Sequence, residues 1–123
     1  MSLHSSGEMY LETIYVLQGK LGAVRALDVS EEIGFSKPSV SRALKKLISD
    51  GYIEVDSYGY ITLTDSGKSI AEKIFERHNV LTKMLMLLGV DEETAVGDAC
   101  KIEHDISDRS FDAIKQHMKT YQK

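Results

Sequence analysis

The hydrophobic period changes at Gly51, and few folds open to a 123-residue chain accommodate that change. Before Gly51, apolar residues recur at helical spacing in three stretches separated by glycines. After it, Tyr52-Ile53-Glu54-Val55 and Tyr60-Ile61-Thr62-Leu63 are β-rich and roughly alternating. Asp56-Ser57-Tyr58-Gly59 between them supplies turn chemistry, which predicts a β-hairpin. Three helices and a hairpin give the layout of a winged helix-turn-helix.

The first helix is predicted from about Ser6 to Gln18, with Met9, Leu11, Ile14, Tyr15 and Leu17 apolar. A short second helix covers Ala26 to Ile33 and stops at Gly34. Ser36 is placed as the N-cap of a third helix running to Asp50, with Pro38 in its first turn, where a missing N–H costs little. Val40, Ala43, Leu44, Leu47 and Ile48 form its apolar stripe. Beyond the hairpin, Thr64 caps a fourth helix to about Leu88. A fifth is expected from Asp91 to Ile106, and Ser107 caps a sixth reaching Tyr121. The fold class is mainly α. A winged helix-turn-helix domain, 1–63, precedes a helical domain, 64–123.

Charge gives the third helix a function. The chain carries a net charge of −4, yet residues 36–49 hold Lys37, Arg42, Lys45 and Lys46 and no acid. That segment sums to +4, which leaves −8 on the remainder. A basic helix on an acidic body suits local binding of phosphate, although such a helix taken alone is equally a solvated surface. In a helix-turn-helix the second helix of the pair enters the major groove, with its N-terminal residues at base edges. Ser36, Ser39 and Ser41 offer short donors there. Arg42 suits a guanine edge or a phosphate, while Lys37, Lys45 and Lys46 suit phosphate. Pro38 is placed to touch a thymine methyl, and Tyr58 at the wing tip to meet the flanking backbone. The partner expected is double-stranded operator DNA.

The second half carries a different chemistry. Cys100, Glu103 and His104 stand at i, i+3 and i+4, neighbouring positions on a helix. Thiolate, carboxylate and imidazole all bind metals. Taken alone, the single cysteine of the chain reads first as a small buried apolar residue. A metal sphere usually needs at least four groups, and Met9, Glu12 and His78 are the candidates elsewhere. A lone histidine mid-helix, such as His78, is more often a packed or surface residue.

Three segments together resemble the diphtheria-toxin-repressor family of iron- and manganese-dependent transcriptional repressors. They are Glu8-Met9-Tyr10-Leu11-Glu12-Thr13-Ile14-Tyr15, Ser36-Lys37-Pro38-Ser39-Val40-Ser41, and Ala99-Cys100-Lys101-Ile102-Glu103-His104 with Ser107-Asp108. The likeness covers essentially the whole chain, in the short form without an SH3-like domain. It implies a homodimer that binds palindromic operators when loaded with Fe²⁺ or Mn²⁺, regulating genes of metal homeostasis. In iron-type members the positions of Met9, Cys100, Glu103 and His104 are ligands. The position of His78 belongs to their second site, two of whose other positions are here Thr82 and Val96, which cannot replace a carboxylate or imidazole. Manganese-type members place acids at the positions of Met9 and Cys100 and use those of Glu12 and His78. This chain is therefore a hybrid. Its sulfur donors disfavour Mn²⁺ relative to Fe²⁺, Co²⁺, Ni²⁺ or Zn²⁺, and since affinity alone would let Zn²⁺ or Cu²⁺ win, availability must help decide; Fe²⁺ is the expected corepressor, with Mn²⁺ next. The stretch Leu81–Leu88 and the last two helices are the expected dimer surface; the alternative for that stretch is plain core.

Several classes are set aside. No apolar run approaches the ~20 residues needed to span a bilayer, and no signal peptide is seen, so a cytoplasmic protein is expected. Met1-Ser2-Leu3 reads as a cloning remnant. No His-Glu-x-x-His pattern, Ser/His/Asp arrangement or Gly-rich phosphate loop is present, so neither an enzyme nor an organic substrate is expected. The rival reading is a winged-helix transcription factor without metal sensing, in which Cys100 is a redox-sensitive or structural thiol.

Overall fold

A computed structural model describes residues 5–121. Met1-Ser2-Leu3, and with them the cloning-remnant reading, lie outside the described residues. The chain forms two compact units, Met1–Glu72 and Lys73–Lys123.

The first unit contains α1 (Ser5–Leu21), α2 (Ala26–Ile33), α3 (Lys37–Ser49), β1 (Ile53–Val55), β2 (Ile61–Leu63) and the first turns of α4 (Asp65–Leu87). Helix α1 buries Tyr10, Leu11, Ile14 and Leu17, one stripe at helical spacing. It runs three residues past the expected end, through Gly19 to Leu21. Helix α3 presents Val40, Leu44 and Leu47 to the same core, whereas Ile48 stays exposed. Burial of such aliphatic side chains stabilises by roughly 1.5–3 kcal/mol each.

Cap chemistry sets the start of α3. The Ser36 side chain accepts from the Ser39 N–H, and Pro38 lies in the first turn. The turn before it depends on Gly34, whose φ of 84° is left-handed and whose N–H reaches the Ser30 carbonyl at 2.8 Å. A Cβ is strongly disfavoured in that conformation.

The hairpin is antiparallel, pairing Ile53 with Leu63, Glu54 with Thr62 and Val55 with Ile61. Its strands are one residue shorter at the N-terminal side than the sequence pattern suggests, and both Ile53 and Ile61 are buried. The sequence reading gave it no third partner. The structure does: the Ile61 N–H donates to the Val24 carbonyl at 2.8 Å, forming a bridge to the segment before α2.

Helix α4 starts where expected. Thr64 Oγ1 accepts from the Gly67 N–H and donates to the Gly51 carbonyl at 2.7 Å. Gly67 is required there, because a Cβ would run into the Tyr52 carbonyl. Ile70 and Ala71 belong to the first core, so the division between units falls within α4, after Glu72.

The second unit comprises the rest of α4, α5 (Glu92–Ile102) and α6 (Asp108–Tyr121). Leu81, Ala99 and Phe111 form its core, with Val80, Met84, Ile102, Ile106 and Ile114 packed around them. Asp91 caps α5 by accepting from the Thr94 N–H, which holds its carboxyl below the usual carboxylate range. Ser107 caps α6, its Oγ accepting from the Ser110 N–H at 3.1 Å. The expected fifth helix reached Ile106; α5 ends at Ile102, and 103–105 form a turn. No helix among the described residues is long and apolar enough to cross a membrane.

These contacts give Gly67 and Gly97 opposite expectations. Gly67→Ala should lose about 1–3 kcal/mol in urea unfolding, because the new methyl meets backbone rather than a mobile side chain. Gly97→Ala, inside α5 with open space at the Cβ position, should gain about 0.5–1 kcal/mol from helix propensity.

Candidate metal centre and nucleic-acid interface

The helical register of α4 and α5 brings three candidate ligands together in the second unit. One donor atom from each of His78, Cys100 and Glu103 lies within 4.8 Å of the others. His78 Nδ1 stands 3.1 Å from Glu103 Oε1 and 3.7 Å from Cys100 Sγ. Donors around one transition-metal ion sit roughly 3–4 Å apart, given bonds of about 2.0–2.3 Å. A carboxylate oxygen of Glu103 and a ring nitrogen of His104 are also within 4.8 Å of each other. The expectation that Glu103 and His104 lie within helix five is corrected. Glu103 is the C-cap of α5 and His104 lies in the following turn.

Burial tests whether these residues fit a cation. Glu103 is fully buried, and its Oε2 has no hydrogen-bond partner. A carboxylate oxygen removed from water without compensation is costly, by roughly 1–3 kcal/mol or more. Cys100 is exposed at the edge of the cluster, which overturns its reading as a buried apolar residue. His78 is partly buried and directed at Glu103. The group therefore offers an imidazole, a cysteine sulfur and a buried carboxylate with unused acceptor capacity, a donor set that fits a divalent transition metal.

Met9 and Glu12 lie in the first unit, one turn apart on α1, and both are partly buried. Met9 packs against that unit's core. Thr82 donates its hydroxyl to the His78 carbonyl at 2.7 Å, and Val96 offers no donor atom, so neither adds to the cluster.

Sequence reasoning missed Arg77. It is buried, and Nη1 donates to the carbonyls of Glu103 (3.0 Å) and Ile106 (2.7 Å) while Nη2 donates to Asp108 Oδ1. Its signal was available: a cation beside His78 on a helix with an apolar face. By binding the carbonyl of Glu103, the C-cap of α5, and that of Ile106 just past the turn, Arg77 supports the turn that replaces the expected last helical residues.

On α3 the candidate contacts are displayed outward. Ser36, Lys37, Pro38, Ser41, Arg42, Lys45 and Lys46 are exposed, and Ser39 is partly so. Ser36 Oγ donates to Ser39 Oγ at 2.9 Å, and Arg42 Nη2 reaches the same oxygen at 3.5 Å. These local bonds order the helix N-terminus and restrict the guanidinium before any ligand arrives. Lys46 is engaged with Asp50 at 3.6 Å. In the wing, Asp56 Oδ1 accepts from the N–H groups of Tyr58 and Tyr60, leaving Tyr58 projecting at the tip, 75% exposed. Arg25, also missed, stacks on Tyr60 at 4.5 Å and adds a cation beside the wing.

Comparison with other proteins places both regions. Residues 2–61 match the family model described as iron dependent repressor, N-terminal DNA binding domain. Residues 64–123 match its metal binding and dimerisation domain. The HTH-type transcriptional regulator MntR of Lysinibacillus sphaericus (strain C3-41) is 36% identical over 109 residues, covering 89% of this chain and 78% of that protein. The MntR of Bacillus subtilis (strain 168) is 37% identical, covering 89% and 77%. A solved structure described as a manganese-dependent transcriptional repressor in complex with manganese overlays with a TM-score of 0.84 at 30% identity. That overlay covers 92% of this chain and 52% of the other, so the chain spans about half the length of that solved relative.

Asp108 connects this geometry to acid stability. Lys73, at 2.8 Å, and then Arg77 hold its carboxyl below the usual carboxylate range. A depressed folded value stabilises the fold above the unfolded pKa, and that contribution disappears as pH falls through the folded value. Urea unfolding should therefore lose stability below about pH 4, and Asp108→Asn should flatten that acid limb.

Proposed function

The chain belongs to the iron dependent repressor family of metal-dependent, DNA-binding transcription regulators, and we propose that it represses metal-homeostasis genes when loaded with Fe²⁺. In this reading residues 1–63 bind DNA and residues 64–123 bind metal and dimerise. The observation that carries it is the cluster of His78, Cys100 and Glu103, with a buried carboxylate oxygen lacking a donor. In this reading Glu103, His104, Cys100 and His78 would hold the ion, and Met9 and Glu12 are proposed as further ligands on the strength of the sequence.

Fe²⁺ is favoured over Mn²⁺ because Cys100 and Met9 supply sulfur where manganese sites prefer oxygen. Mn²⁺ stands second, supported by the manganese-dependent solved relative. A bound metal would supply positive charge to the Glu103 carboxylate and join the ligands of α4 and of the α5 end. The chain's own residues do the rest. Ser36, Lys37, Pro38, Ser39, Ser41 and Arg42 meet the major groove, Lys45 and Lys46 meet phosphate, and Tyr58 meets the flanking backbone. A palindromic operator is contacted by two such helices of a homodimer, about one helical turn or a multiple of it apart. Metal represses only through its differential affinity for the dimer geometry that fits the operator.

Exposed Leu87 and Leu88 at the end of α4 support the dimer surface, while Leu81 is core, so the stretch Leu81–Leu88 divides between the two roles. The work of this protein is binding, with no catalytic step.

Gel shifts on the operator with Fe²⁺, Mn²⁺ or chelator should show a shift only with metal. Glu103→Gln and His104→Ala should abolish it, and Arg42→Ala should weaken specific binding by about 1–3 kcal/mol. A metal-independent shift unaffected by Cys100→Ala would instead establish a winged-helix regulator without metal sensing. Calorimetry on Cys100→Glu should move the preference from Fe²⁺ toward Mn²⁺; equal affinities in the unaltered chain would remove the assignment of Fe²⁺.

A further inference from the structure

Arg77 is the only buried cation among the described residues, and each acceptor it meets flanks one short segment. Nη1 bridges the carbonyls of Glu103 and Ile106, and Nη2 binds the carboxylate of Asp108. The Phe111 ring lies 5.5 Å from the guanidinium carbon. Residues 103–108 are thus held at three points and flanked by an aromatic face. The next residue along α4, His78, meets the Glu103 side chain at 3.1 Å. Consecutive residues of α4 therefore grip Glu103 twice, once through its backbone and once through its carboxylate.

This arrangement uses properties particular to arginine. Carbonyls at a helix C-terminus lack intrahelical donors and carry partial negative charge, so a cationic donor is favoured there. A planar guanidinium can meet three acceptors in fixed directions. A lysine ammonium is a compact charge that cannot span them. Lys73 shares Asp108 at 2.8 Å, anchoring that carboxylate from a second side.

We propose that Arg77 is a positioning residue of the metal centre. Its guanidinium fixes the backbone of the turn after α5, so that the Glu103 carboxylate faces His78 and Cys100, with His104 following it into the ligand set. This rests on the metal-centre reading above and adds to it a residue that touches no metal.

The test is a titration of Co²⁺ into the purified full chain, read by visible absorption and by competition with a chelator. The proteins are the unaltered chain, Arg77→Lys, Arg77→Gln, Asp108→Asn and Ile114→Ala. Ile114 packs in the same core, so its truncation is a control for general loss of stability, with melting temperatures measured without metal. Arg77→Gln should bind Co²⁺ roughly ten- to a hundredfold more weakly. Arg77→Lys should lose most of the same affinity and show altered ligand-field bands, because charge is kept and the fork is lost. Asp108→Asn should show a smaller loss, and it keeps the test open if Arg77→Gln does not fold. Ile114→Ala should melt earlier yet keep the spectrum of the unaltered chain. The proposal is overturned if the Arg77 variants match the unaltered chain in affinity and spectrum, or if Ile114→Ala loses as much affinity. Absence of Co²⁺ binding by the unaltered chain overturns the metal-centre reading itself, and the role of Arg77 with it.

Discussion

A carboxylate taken out of water must find compensation, and Glu103 sets that requirement for the second unit. Its side chain is fully buried, one oxygen faces His78, and the other has no hydrogen-bond donor. Removing the imidazole strands the buried carboxylate, which is a larger penalty than the net value of the bond. The surroundings are consistent with that demand. Arg77 holds the peptide on one side, Cys100 opens toward solvent on the other, and the apolar cluster of Leu81, Ala99 and Phe111 supports the helices that carry them. A site of this kind is held by its scaffold before any ligand arrives.

Much of this was legible in the sequence because the governing interactions are local. Ser36, Thr64 and Ser107 each precede a helix and bond an N–H of its first turn, so residue type and position are enough to place them. The switch to a hairpin at Gly51 depended on side-chain alternation within a few residues. The i, i+3, i+4 spacing of Cys100, Glu103 and His104 was likewise a short-range signal. Bringing His78 to Cys100 and Glu103 needs two helices to meet in a particular register, which periodicity alone does not specify.

The largest departure from the sequence pattern turns on a contact between residues distant in the chain. The end of α5 was placed too late because apolar period continues to Ile106, whereas Arg77, nearly thirty positions earlier, captures the carbonyls of Glu103 and Ile106. Ile48 fitted the stripe of α3 by spacing but lies outside the face that the first core covers. The longer α1 reflects a glycine tolerated inside a helix, where propensity opposes what the surrounding turns support.

The bridge from Val24 to Ile61 has a mechanical consequence. A two-stranded ribbon joined to its domain only at its base could pivot and sample many angles. This one is also tied to the segment that leads into α2, and Arg25 there lies over Tyr60. The wing and the segment that leads into α2 are therefore tied together by both contacts. The ribbon's angle is thus set by two attachments far apart in sequence, so loosening either one would change how the hairpin is presented.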